Sequence, residues 1–132
     1  GFTHRDIVET TPGAVMVHRT ANGEILYAND ELISLMECDD LKDFFDYTGG
    51  FYDGVTHPDD RGRIRRQLAA AAQGNVAGSK SYTEFRVHTK GGKTYEATCV
   101  GKYTVADGIG DVCYDLITGR GGSLGFGADV RP

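Results

Sequence analysis

The sequence contains no tryptophan, and only three prolines and three cysteines among 132 residues. Cys38, Cys99 and Cys113 are odd in number and form no Cys-x-x-Cys pair, so they read as reduced thiols and not as a disulfide framework. Basic charge is scarce too: 14 Lys and Arg stand against 19 Asp and Glu, giving a formal charge of −5 and a pI near 5.2. That balance argues against nucleic acid as a partner. No apolar run approaches the roughly 18 residues that span a bilayer, and no charged-then-apolar leader is present. A cytoplasmic chain without membrane contact is the expectation. His4, His18 and His88 show no i,i+4 or other ligand spacing, which argues against a preformed metal site.

What is present is enough for one domain of 14.3 kDa with its own core. Its most informative stretch is 81–105. From Thr83 to Thr89, Phe85 and Val87 alternate with Glu84, Arg86 and His88, which is strand periodicity. From Thr94 to Thr104 the alternation recurs, with Tyr95, Ala97, Cys99, Gly101 and Tyr103 on one face and Val100 as the misfit. A two-residue loop at Gly91-Gly92 sets Val87 opposite Glu96 and mixes the faces. A three-residue loop, Lys90-Gly91-Gly92 with Gly92 left-handed, sets Val87 opposite Tyr95 and Phe85 opposite Ala97. The second arrangement matches the apolar sets.

Around this hairpin the chain predicts a short amphipathic helix at Phe2–Glu9, strands at Ala14–His18 and Glu24–Ala28, and an Asn22-Gly23 turn between them. Asn29 is placed to cap a helix carrying Leu32, Leu35 and Met36. Asp39-Asp40 opens a second helical piece with Leu41, Phe44 and Phe45, ended by Gly49-Gly50. Pro58–Gln73 is the clearest helix, with His57 as its N-cap, Asp59 and Asp60 in the first turn, and Ile64, Leu68 and Ala71 or Ala72 on the buried face. A last strand, Asp111–Thr118, follows the Asp107-Gly108 turn. Five antiparallel strands with helices confined to the middle imply an α+β domain with the helices packed on one face of the sheet. The divisions expected are a flanking helix over 1–10, the domain over 11–118, and a glycine-rich tail or linker over 119–132.

Four segments resemble a PAS domain, in the group with a His-Pro-Asp-Asp helix start: 23–29, where a strand runs into the Asn29 cap; 55–61, Val-Thr-His-Pro-Asp-Asp-Arg; Glu84-Phe85-Arg86-Val87 with Gly92; and the final strand ending Asp115-Leu116-Ile117-Thr118. Three positions depart from the family pattern. Glu37-Cys38 stands where a glycine often follows the first central helix, Glu96 where the fourth strand often has tryptophan, and Asp115 and Thr118 are one residue farther apart than in the usual Asp-x-Thr. The resemblance implies a sensory or signalling module, not itself an enzyme, that binds a small molecule or forms a homodimer and regulates a covalently attached output domain such as a histidine kinase or diguanylate cyclase. Dimerisation is expected through Phe2–Glu9 and the outer sheet face near Val100.

The same resemblance implies a pocket between sheet and helices, lined by Met16, Tyr27, Phe85, Val87, Ala97 and Cys99. The alternative is a core filled by Phe44, Phe45, Phe51 and Leu68, and with it a pure protein-interaction module. Its ligand is unknown. The long helix has no histidine where haem-binding relatives use one, and no cysteine is followed by arginine as in covalent flavin relatives, so both cofactors are disfavoured. A small pocket enzyme is the remaining alternative, but no nucleophile with a positioned partner is visible in the spacing. Cys99 and Cys113 are candidate cross-strand neighbours, readable as inert core thiols or as a reversible disulfide. Arg61, Arg63, Arg65 and Arg66 read as a solvated, locally paired face or as an anion site.

Overall fold

The computed structural model describes residues 13–74, 77–122 and 125–127. The chain order is β1 (Ala14–Arg19), β2 (Ile25–Ala28), α1 (Asp30–Leu35), α2 (Leu41–Thr48), α3 (Arg61–Gly74), β3 (Lys80–His88), β4 (Thr94–Ala106) and β5 (Gly110–Gly119). Short 3₁₀ turns occupy Tyr52–Gly54, Pro58–Asp60 and Arg120–Gly122. The five strands form one antiparallel sheet in the order β2-β1-β5-β4-β3. The expected helix at Phe2–Glu9 lies outside the described residues. No helix among the described residues is long and apolar enough to cross a membrane.

The β3–β4 register follows from matching the faces: Phe85 pairs with Ala97 and Val87 with Tyr95. The loop is Lys90-Gly91-Gly92, closed by the Thr89 N–H donating to the Lys93 carbonyl at 2.8 Å, with Gly92 at φ 93°. Side chains on the inner face then meet the helices in a single core. Met16, Phe85, Val87, Ala97, Cys99 and Ile117 pack there against Leu32, Met36, Phe44, Val55 and Ile64. Among the described residues, helices cover this face alone. On the opposite face Val15, Val17 and Val112 form a smaller cluster with half-buried Leu26, Tyr27, Tyr114 and Leu116.

Asn29 locks the helical layer to the sheet. Its Oδ1 accepts from the Leu32 N–H at 3.1 Å as an N-cap and from the Val15 N–H at 3.0 Å, while its Nδ2 donates to the Gly13 carbonyl at 2.8 Å. The His57 side chain accepts from the Asp59 N–H, with Pro58 at the first position, but residues 58–60 form a 3₁₀ turn and α3 proper starts at Arg61. Asp60 then forks onto Arg86, with Oδ1 to Nη2 at 2.8 Å and Oδ2 to Nε at 3.1 Å, which ties this turn to β3. Gly119 belongs to β5 instead of opening a tail, and Phe126 packs on the ring of Tyr95 at 6.1 Å.

Replacing Asn29 with Ala removes the hydrogen bonds to Leu32, Val15 and Gly13 at one buried site. Urea unfolding should show a loss of about 2–4 kcal/mol, with Asn29→Asp in between because it keeps the acceptor and loses only the donor to Gly13.

Candidate functional site

Polar side chains are rare on the inner sheet face, and most of those present converge on one point. His18 on β1 and Asp115 on β5 are 3 % and 2 % exposed. The His18 Nδ1 lies 2.5 Å from Asp115 Oδ2. The other carboxylate oxygen, Oδ1, accepts from the thiols of Cys113 at 3.4 Å and Cys99 at 3.7 Å. A carboxylate only accepts, so Nδ1 carries the proton it shares with Asp115. Tyr52 stands edge-on to the His18 ring, with centroids 5.1 Å apart.

The backbone explains how a carboxylate fits in the core. Asp115 pairs across the ladder with Gly101, and Gly101 pairs on its other side with Ser81. A Cβ at position 101 would lie 2.6 Å from Cys113 Sγ, 2.6 Å from Ser81 Oγ and 3.1 Å from Asp115 Oδ1. The missing side chain is therefore the space that the cluster occupies. Burial, followed by the charge of Asp115, pushes the Cys99 and Cys113 thiols well up, and burial pushes Tyr52 up as well. Protonated thiols of this kind are poor nucleophiles.

Above the cluster, between α3 and the sheet, is a pocket of about 330 Å³. Its floor includes His18, Asp115 and Tyr52; Ser81, Thr83 and Tyr103 line the strand side, and Gln67, Leu68 and Ala71 the helix side. Among the described residues, no Lys or Arg lines it. This space is displaced from the one expected. Met16, Phe85, Val87, Ala97 and Cys99 are all in the packed core, in one cluster with the fully buried Phe44. Tyr27 is on the other side of the sheet: a register shift between Val17 and His18 sets it opposite Val17, in the outer cluster.

The cysteines also need correction as neighbours. In the β4–β5 register Cys99 pairs with Ile117 and Cys113 with Tyr103, an offset of four residues. At about 3.3 Å per residue their backbones are roughly 13 Å apart, beyond disulfide reach. Arg61, Arg63 and Arg65 of α3 are engaged locally. Arg61 Nε donates to the carbonyls of Asp53 and Thr56, Arg63 to that of Glu84, and Arg65 pairs with Asp53. Glu37, where a glycine was expected, takes φ 59° itself, the one non-glycine residue with positive φ among those described. Its carboxylate accepts from the Thr89 hydroxyl, which holds its pKa below the ordinary value, and lies 3.6 Å from Lys93 Nζ.

No protein-family model and no curated protein matches the sequence. Solved structures do. The PAS domain of an HTR-like protein from Haloarcula marismortui superposes with a TM-score of 0.66 at 13% identity, over 85% of this chain and 84% of that one. The N-terminal domain of a diguanylate cyclase with a PAS/PAC sensor from Marinobacter aquaeolei gives 0.57 at 11% identity, over 80% and 92%. A PAS domain from a two-component sensor histidine kinase gives 0.56 at 12% identity, over 85% and 88%. The chain has the PAS fold. Its buried His18–Asp115 pair was invisible to spacing, because 97 residues separate the partners. The available signal was periodic: His18 follows Met16, and Asp115 sits between Cys113 and Ile117, all at inward positions.

Gly101→Ala should cost about 1–3 kcal/mol in denaturant unfolding, the usual penalty for overpacking. Adding Cys113→Ala should restore part of that loss. An additive double variant would contradict the contact.

Proposed function

We propose that this domain is the sensory input module of a signalling protein and that it binds a small molecule in the pocket between α3 and the sheet. One observation carries the reading: the half-open space between α3 and the sheet ends on two buried polar side chains, His18 and Asp115, beside a mostly apolar core. Small-molecule sites combine apolar walls with a few fixed polar groups in this way. The PAS folds of the histidine kinase and the diguanylate cyclase support the choice of class.

Transmission would run through β5. Asp115 is at the floor of the pocket, and the strand continues from it to Gly119, at the edge of the segment expected to lead toward an output domain. A ligand that engages Asp115 bears directly on that strand. The packed core below keeps the rest of the sheet rigid.

Two substitutions separate pocket from core. Ala71 lines the pocket and is half-buried, whereas Ala97 is fully enclosed. Ligand-observed NMR with a library of small polar fragments should detect binders of the wild type that Ala71→Phe loses by at least about tenfold while remaining folded, and Ala97→Phe should lose about 1–3 kcal/mol of stability. Finding no binder, or binders indifferent to Ala71→Phe, would refute the reading.

A further inference from the structure

We propose that His18, Cys113 and Asp115 form a site for a zinc-like divalent cation at the floor of the pocket, with one coordination position open toward it. The inference deepens the sensory reading by naming a ligand for that place, and rests on that reading only for the meaning of binding as a signal.

The three side chains offer one nitrogen, one sulfur and one oxygen, and these ligand atoms all lie within 4.8 Å of one another. All three are buried, and all three project from neighbouring strands. His18 pairs directly with Cys113 in the β1–β5 ladder, and Asp115 is two residues farther along the same face. The ladder, not a loop, therefore sets their spacing. Tetrahedral zinc with bonds of about 2.0–2.3 Å separates its ligands by roughly 3.3–3.6 Å. Closing on an ion requires the 2.5 Å contact between Nδ1 and Oδ2 to open by under about an ångström. A small turn of the Asp115 carboxylate, which has no side chain at position 101 to clash with, supplies that movement.

The ligand chemistry selects the class of cation. Imidazole with thiolate and carboxylate suits a borderline ion such as Zn²⁺ and not the oxygen-seeking Mg²⁺ or Ca²⁺. Charge closes as well: the Cys113 thiol gives its proton to solvent, Asp115 is a carboxylate, and together they neutralise a divalent ion. The His18 ring changes tautomer, its proton passing from Nδ1 to Nε2 through solvent, which frees the Nδ1 lone pair for the ion. Cys99 remains a donor to the same carboxylate, an outer contact of the kind that fixes metal ligands. Three protein ligands leave a fourth position, and His18 and Asp115 face the pocket. Water or a small ligand would complete the set.

Cobalt(II) tests this directly. Titration of the chelator-treated protein should show one Co²⁺ per chain, intense tetrahedral d–d bands, a thiolate charge-transfer band, and displacement by Zn²⁺. Cys113→Ser should abolish the charge-transfer band and weaken binding at least tenfold, whereas Cys38→Ser should leave both unchanged. Should Cys113→Ser fail to fold by circular dichroism, cadmium-113 NMR of the wild type reads the ligand set without a variant, and a mixed N, S and O environment is expected. Weak octahedral cobalt spectra, an all-oxygen cadmium shift, or a charge-transfer band that survives Cys113→Ser would overturn the site. Fragment binding in the pocket without any cobalt site would overturn the metal and leave the sensory reading standing.

Discussion

A carboxylate placed in an apolar core is costly unless both of its oxygens have donors. Asp115 meets that condition with one imidazole and two thiols, and does so because Gly101 leaves the room. Much else follows from this arrangement. It fixes the tautomer of His18, keeps both thiols protonated and places a polar floor under the space beside α3. An apolar residue at 115 would turn the same pocket into an extension of the core.

Local chemistry was the legible part of the sequence. The register of the β3–β4 hairpin followed from matching Phe85 and Val87 to Ala97 and Tyr95, and the caps at Asn29, Asp40 and His57 followed from residue type. What failed was long-range or irregular. The resemblance implies Tyr27 as a pocket residue, but next to the shift between Val17 and His18 it lies opposite Val17 in the outer cluster. The pairing of Cys99 with Cys113 was judged from distance to the turn, whereas the ladder sets each opposite a different residue. His18 and Asp115 become neighbours only when β5 inserts beside β1, and no local pattern encodes that event.

The three departures from the PAS pattern have separate physical outcomes. Glu37 adopts the left-handed backbone that glycine would take, and its carboxylate gains the Thr89 hydroxyl and Lys93 at the hairpin turn. Glu96 is exposed and pairs with Arg120 at 3.1 Å. The extra residue between Asp115 and Thr118 matters most, because strand positions three apart face opposite sides. Asp115 consequently points into the pocket, while the Thr118 hydroxyl donates to the Thr98 carbonyl and the Thr98 hydroxyl accepts from the Gly121 N–H. One strand thus links the pocket floor to the start of the C-terminal segment.

The hydrogen bond between His18 and Asp115 at the floor of the pocket is open to side-chain ¹⁵N NMR of His18 in chelator-treated protein. The expected result is a slowly exchanging Nδ1–H proton, shifted far downfield, that disappears in Asp115→Leu while other histidine signals persist. A rapidly exchanging His18 ring, indifferent to residue 115, would contradict it.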